Sequence, residues 1–278
     1  MAHSGGENDW LDAAFACPPL AGRKVLVLGL GGGSDIIAAY AVAHLLRASR
    51  PASMIYANTK KRDDGTLLPV TAHISRVAAE PSSPAEASGP IHGSTLIDRA
   101  VPRGDEGCPW IFLLGDSGSK AEMELPGEIR QCGFDVVFGV DIGGDSLVPS
   151  ASSGKHGRDK RMLEVLQHTR LPLLPVVVSP GADGESTYEE LLDAFRAHRR
   201  RVRGSVPLDD PALELMRSLS VFLDPDRTPR IILAAAEDRL QWSPHGGVVV
   251  PRGRYPSVPR AWLLRALVFA DDDACTQL

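Results

Sequence analysis

Apolar residues along this chain fall into short unbroken runs separated by stretches of helical period, and the two alternate. Unbroken runs bounded by turn signals suit strands buried on both faces of a parallel sheet. They predict strands at Lys24–Gly29, Ser53–Ala57, Trp110–Gly115, Asp135–Asp141 and Leu173–Ser179. The period between them predicts helices over Ser34–Arg47, Ser119–Cys132 with an interruption near Pro126, Gly157–Thr169 and Ser186–Arg199. Strand alternating with helix implies right-handed crossovers. The expected fold class is therefore α/β: a doubly wound, mostly parallel sheet with helices on both faces, in a single domain over 23–270.

Local signals refine the boundaries. Ser186 with Glu189 fits a capping box, and Asp159 is placed to cap the helix that follows it. The stretch 80–94 is rich in Pro, Ser, Gly and Ala, as a surface excursion would be. One more helix is expected in "SVPLDDPALELMRSLSVFLDPDR", and the segment around "HGGVVVPRGRYPSVPRAWLLRALVF" suits added edge strands. Residues 1–22 then form an N-terminal extension and 271–278 a C-terminal tail.

Composition narrows the partners. The 278 residues, 43% hydrophobic, suffice for a sizeable core. A net charge of -5 supplies no field for nucleic acid, so none is expected as a partner. The first 22 residues lack a basic and then apolar leader, and no apolar run is long enough for a bilayer, which predicts a cytoplasmic protein without a membrane partner. Cys17, Cys108, Cys132 and Cys275 are far apart in sequence, without a CxxC pair, and suggest reduced thiols.

The candidate chemistry sits where strands end. "GLGGGSD" approximates the dinucleotide fingerprint, with Gly29 and Gly31 in place but Ser34 at the third glycine position. Asp35 stands in the first turn of the following helix, where it would repel a pyrophosphate and occupy the N–H groups that hold one. "VDIGGD" ends another strand in Asp141 and Asp145 around Gly143 and Gly144. "SPGADGE" supplies Gly181, Asp183 and Glu185, and "GDSGS" supplies Asp116. In a doubly wound sheet, ligands bind beyond the carboxyl ends of the strands. These corners predict an acidic floor there, and clustered carboxylates call for a cation, shared protons or basic partners. His156 and Arg158 in "SSGKHGRDK" are candidates, His156 for proton transfer and Arg158 for an anionic substrate group. The run "NTKKR" at Asn58 to Arg62 could meet a 2′-phosphate.

The three separated motifs "GLGGGSD", "VDIGGD" and "SPGADGE", in that order over roughly residues 24 to 200, resemble the domain of unknown function family 1152. The resemblance implies a Rossmann-like α/β fold, with Gly31, Gly32, Gly33, Asp35, Asp141, Gly143, Gly144, Asp145, Gly181, Asp183 and Glu185 at a ligand edge, and it transfers no activity. Ser34 and a short "SSGKHGRDK" loop depart from the family pattern. "VDIGG" also looks like a phosphate segment of sugar kinases, but those place it at an N-terminal hairpin rather than mid-chain.

The expected function is that of a small-metabolite enzyme of hydrolase or lyase type. Asp141, Asp145 and His156 are its candidate catalytic groups. Asp35, Asp141 and Asp145 are the candidate ligands of a divalent cation such as Mg²⁺. The rivals are a non-catalytic ligand-binding or scaffold protein and an NADP-dependent oxidoreductase using "NTKKR".

Overall fold

A computed structural model of the chain describes residues 13–17, 19–31, 34–61, 67–77, 93–100, 107, 109–148, 157–198, 201–242, 247–249 and 257–270. Numbered along the chain, the strands are β1 (Lys24–Gly29), β2 (Ser53–Lys60), β3 (Leu67–Pro69), β4 (Ile74–Val77), β5 (Trp110–Leu113), β6 (Val136–Ile142), β7 (Leu173–Val178), β8 (Val202–Pro207), β9 (Val248–Val249), β10 (Ser257–Val258) and β11 (Arg265–Phe269). The helices are α1 (Asp35–Leu46), α2 (Gly93–Ala100), α3 (Lys120–Gln131), α4 (Arg158–His168), α5 (Tyr188–Ala197), α6 (Asp210–Ser220), α7 (Thr228–Ala236) and α8 (Arg260–Leu263).

Nine strands form one sheet in the order β3-β4-β5-β2-β1-β6-β7-β11-β8, and β9 pairs with β10 apart from it. The contiguous strands β5, β2, β1, β6 and β7 are mutually parallel. Their near-continuous apolar sequences follow from burial on both faces. Val25 and Val27 point into one core layer with α1, α6 and α7, while Leu26 and Leu28 point into a second with α3, α4 and α5. Full burial of each such side chain contributes about 1.5–3 kcal/mol.

The sheet is mixed rather than mostly parallel throughout. β4 runs antiparallel to β5 and β3 to β4, and β11 lies antiparallel between β7 and β8. Antiparallel neighbours need only short turns, so late and local segments can extend a parallel centre on both sides. The tail expected to give edge strands instead supplies β11 inside the sheet, and β8 is the edge. That edge also meets the N-terminal stretch: the Phe15 N–H donates to the Ser205 carbonyl at 3.0 Å, and the Ser205 N–H to the Ala13 carbonyl at 2.7 Å.

Three local expectations shift. α3 continues through Pro126, because Leu125 and Ile129 on either side are buried in the core and hold the helix across the missing N–H. The capping box is Thr187 with Glu190, one residue beyond Ser186 and Glu189. α4 is capped at Gly157, which leaves Asp159 inside its first turn with its carboxylate free to point elsewhere. The described part of the 80–94 stretch is only Gly93 and Ser94, where α2 begins, and the 271–278 tail lies outside the described residues.

Candidate functional site

The strand order reverses between β1 and β6, since the chain goes from β1 outward to β2 and β5 and returns to β6 and β7 on the other side. The loops leaving β1 and β6 diverge there, and a crevice at their carboxyl ends is the expected ligand position for such sheets. Three of the four acidic corners converge on it.

Asp35 is the first residue of α1 and is 5% exposed. Its Oδ2 accepts a hydrogen bond from the Gly31 N–H. Asp159, in the first turn of α4, comes within hydrogen-bonding reach of the Asp35 carboxyl. Gly31 makes this possible: a Cβ there would fall on Oδ1 of Asp159 and 2.7 Å from Oδ2 of Asp35. Arg161, two residues on from Asp159, ties α4 down by pairing with Glu122 and donating to the Gly115 carbonyl at 3.2 Å.

Asp141, the penultimate residue of β6, is 2% exposed and accepts from the Ser146 N–H at 3.0 Å. The turn after it needs Gly143 and Gly144, both at positive φ (118° and 102°). A Cβ on Gly143 would fall on the Asp183 carboxylate, which brings the β7 corner against the β6 corner. The Gly181 N–H donates to the Gly143 carbonyl at 2.7 Å and locks the two turns together. Asp183 is further held by the Glu185 N–H at 3.1 Å. Asp145 completes the group from the single helical turn after Gly144.

Burial and neighbouring like charges act together on these acids. Burial pushes the Asp35 carboxyl well above its usual range, and Asp159 and Asp141 push it further, against the Gly31 hydrogen bond. Asp141 is raised to about 7, by burial first and then by Asp159, with Ser146 and the Gly144 N–H opposing. Asp183 rises to about 8, chiefly through burial. Asp145 rises to about 10 through burial and the charges of Asp141, Asp159, Asp183 and Glu185. The N-terminal ends of α1 and α4 offset part of this, about 0.3–1 kcal/mol for each acid in a first turn. Such a cluster holds shared protons or attracts a cation.

Asp116 and the basic run stand apart from it. Asp116 pairs on the surface with Lys61, beyond β5, two strands from β1. Lys60 of the basic run is buried against Asp98 of α2 at 2.7 Å, and Asn58 also donates to Asp98. Arg158 is exposed at the start of α4, and Ser34 precedes α1 without a side-chain cap bond. Gly32, Gly33 and His156 lie outside the described residues, as do Cys108 and Cys275, while Cys17 and Cys132 are half-buried. Asp159 is the site residue that sequence reasoning missed. Its only signal was an acid at a helix start on the loop following the Asp141 corner.

Among the described residues, the switch-point acids do not close on one ion, since the group of three with ligand atoms mutually within 4.8 Å is His73, Glu124 and Glu128 elsewhere. No helix among the described residues is long and apolar enough to cross a membrane. Comparisons with protein-family models, curated proteins and solved structures return no match for this chain.

Proposed function

We propose that the chain is a small-metabolite enzyme of hydrolase or lyase type whose pocket is the acid cluster at the β1/β6 switch point. The observation that carries this is the convergence of Asp35, Asp141, Asp145, Asp159 and Asp183 from the carboxyl ends of three neighbouring strands and the segments that follow them. Two of those loops need glycine where a Cβ would meet a carboxylate. Mg²⁺ is the cation we assign, because it is commonly held by one or two carboxylates with waters and substrate oxygens completing the shell. The facing pair Asp35 and Asp159 suits that role. Asp141, with a pKa near neutrality, is the group we assign to proton transfer.

The reading takes the parallel strands β5-β2-β1-β6-β7, with helices on both faces, as a Rossmann-like doubly wound centre. It also keeps the relation to the domain of unknown function family 1152, whose three motifs supply most of the clustered acids. An NADP site at "NTKKR" is disfavoured, since Lys60 and Lys61 are engaged by Asp98 and Asp116.

The test is thermal unfolding with EDTA, with Mg²⁺, and with Mg²⁺ plus phosphorylated or carboxylated metabolites. Saturation a hundredfold above Kd adds about 2.7 kcal/mol, which for a chain of this size raises Tm by roughly 5–10 °C. Asp35→Asn, Asp141→Asn and Asp145→Asn should each lose that shift, and Asp145→Asn should raise Tm in EDTA because folding no longer has to protonate that acid. If all three variants keep the wild-type shift, the acidic-pocket reading is wrong. A wild type unmoved by every ligand would point to a non-catalytic scaffold.

A further inference from the structure

We infer that His73, Glu124 and Glu128 form a second cation site, for a borderline transition ion such as Zn²⁺, on the flank of α3 and away from the switch-point acids. His73 closes the turn between β3 and β4, and the two glutamates stand one helical turn apart on the α3 face beneath it. One ligand atom from each residue can be chosen so that all three lie within 4.8 Å of one another. His73 Nε2 is 2.9 Å from Glu124 Oε2.

What distinguishes this group from an ordinary surface acid pair is its donor set and its support. An imidazole nitrogen with two carboxylates is a zinc-type set, and three protein ligands leave a position for water or substrate. Glu128 is oriented by two hydrogen bonds to its Oε2, from the Thr71 hydroxyl and from the His73 N–H at 3.0 Å. The Thr71 hydroxyl is in turn fixed by accepting from the Ile74 N–H at 3.0 Å. Outer contacts of this kind orient metal ligands, and they leave Oε1 of Glu128 for an ion. Lys120, which pairs with Glu124 Oε1 at 2.9 Å, is 76% exposed and can swing into water when an ion arrives. Glu124 and Glu128 also line a hollow of about 1050 Å³ together with Lys120, Arg130 and His168, so the group is reachable from solvent and has basic neighbours for an anion on the ion's open position. With no ion bound, the same contacts fasten the β3–β4 hairpin to α3.

The test uses the full chain and Co²⁺ as a spectroscopic stand-in, with Zn²⁺ for the thermal shift. Wild type should show visible d–d absorption saturating at one equivalent, displaced by Zn²⁺, and a Tm raised by Zn²⁺. His73→Gln and Glu124→Gln should each weaken binding at least tenfold and remove the absorption. Glu124→Gln touches only an exposed ion pair and His73, so its fold is expected to survive if His73→Gln does not. Asp35→Asn should retain the absorption, which separates this site from the switch-point acids. Retention of the wild-type spectrum in both His73→Gln and Glu124→Gln, its loss in Asp35→Asn, or no spectrum in wild type overturns the assignment.

Discussion

At the scale of single residues, the acid cluster is made by what glycines leave out. Gly143 combines a positive φ with a Cβ position already taken by the Asp183 carboxylate, whereas Gly118 has a positive φ of 73° and nothing within 4 Å. The two therefore separate backbone strain from crowding. Gly118→Ala should cost about 1–2 kcal/mol, the left-handed penalty alone. Gly143→Ala adds the overpacking of a half-buried acid, about 1–3 kcal/mol more. Urea unfolding of both variants measures the difference, and equal losses would mean that Asp183 is not wedged against the β6 turn. Asp159 makes a second prediction at this scale. If it faces Asp35 across Gly31, Asp159→Asn should abolish the Mg²⁺-induced shift as fully as Asp35→Asn does, in the same thermal assay.

At the scale of elements, what decides position is which of two equal local signals tertiary structure selects. Ser186 with Glu189 and Thr187 with Glu190 are both hydroxyl residues with glutamate three positions on, and only the second frame satisfies the reciprocal hydrogen bonds of a capping box. Thr187→Ala should then lose about 1 kcal/mol, while Glu189→Ala on the exposed side should stay within about 0.5 kcal/mol by urea unfolding. The same logic explains what the sequence made legible. β1 has the bounds its apolar run predicts, because a strand buried on both faces writes itself as an unbroken run. The acids at the ends of β1, β6 and β7 were readable because Gly and Asp mark strand-to-helix turns. Asp159 was not, since its place at Asp35 depends on how α4 is anchored through Arg161 to Glu122, 39 residues away. Asp116 looked like its fellow corners, yet strand order carries β5 two places from β1 and gives it Lys61 instead. Nor does periodicity encode that β11, from the far end of the chain, inserts between β7 and β8.

At the scale of the whole molecule, the crowded acids predict that stability depends on pH in an unusual direction. Most proteins hold carboxylates with partners that lower their pKa, and lose stability as acid protonates them. Here Asp141, Asp183 and Asp145 sit at about 7, 8 and 10 in the folded chain, against about 3.8 when unfolded. Between pH 5 and 9 the folded state therefore holds protons that the unfolded state has released. Their contribution is fully present below about pH 3.8 and is lost as pH rises through 7 and beyond, at up to about 1.4 kcal/mol per pH unit for each retained proton. In EDTA, the urea midpoint should fall from pH 5.5 to 8.5. Asp145→Asn should flatten that fall by removing one retained proton. Saturating Mg²⁺ should flatten it too, because an ion that binds the ionised cluster replaces the protons and favours the folded state increasingly as pH rises. A midpoint that climbs with pH in EDTA would mean that these carboxylates already have cationic partners, and an acid pocket waiting for a metal would then be untenable.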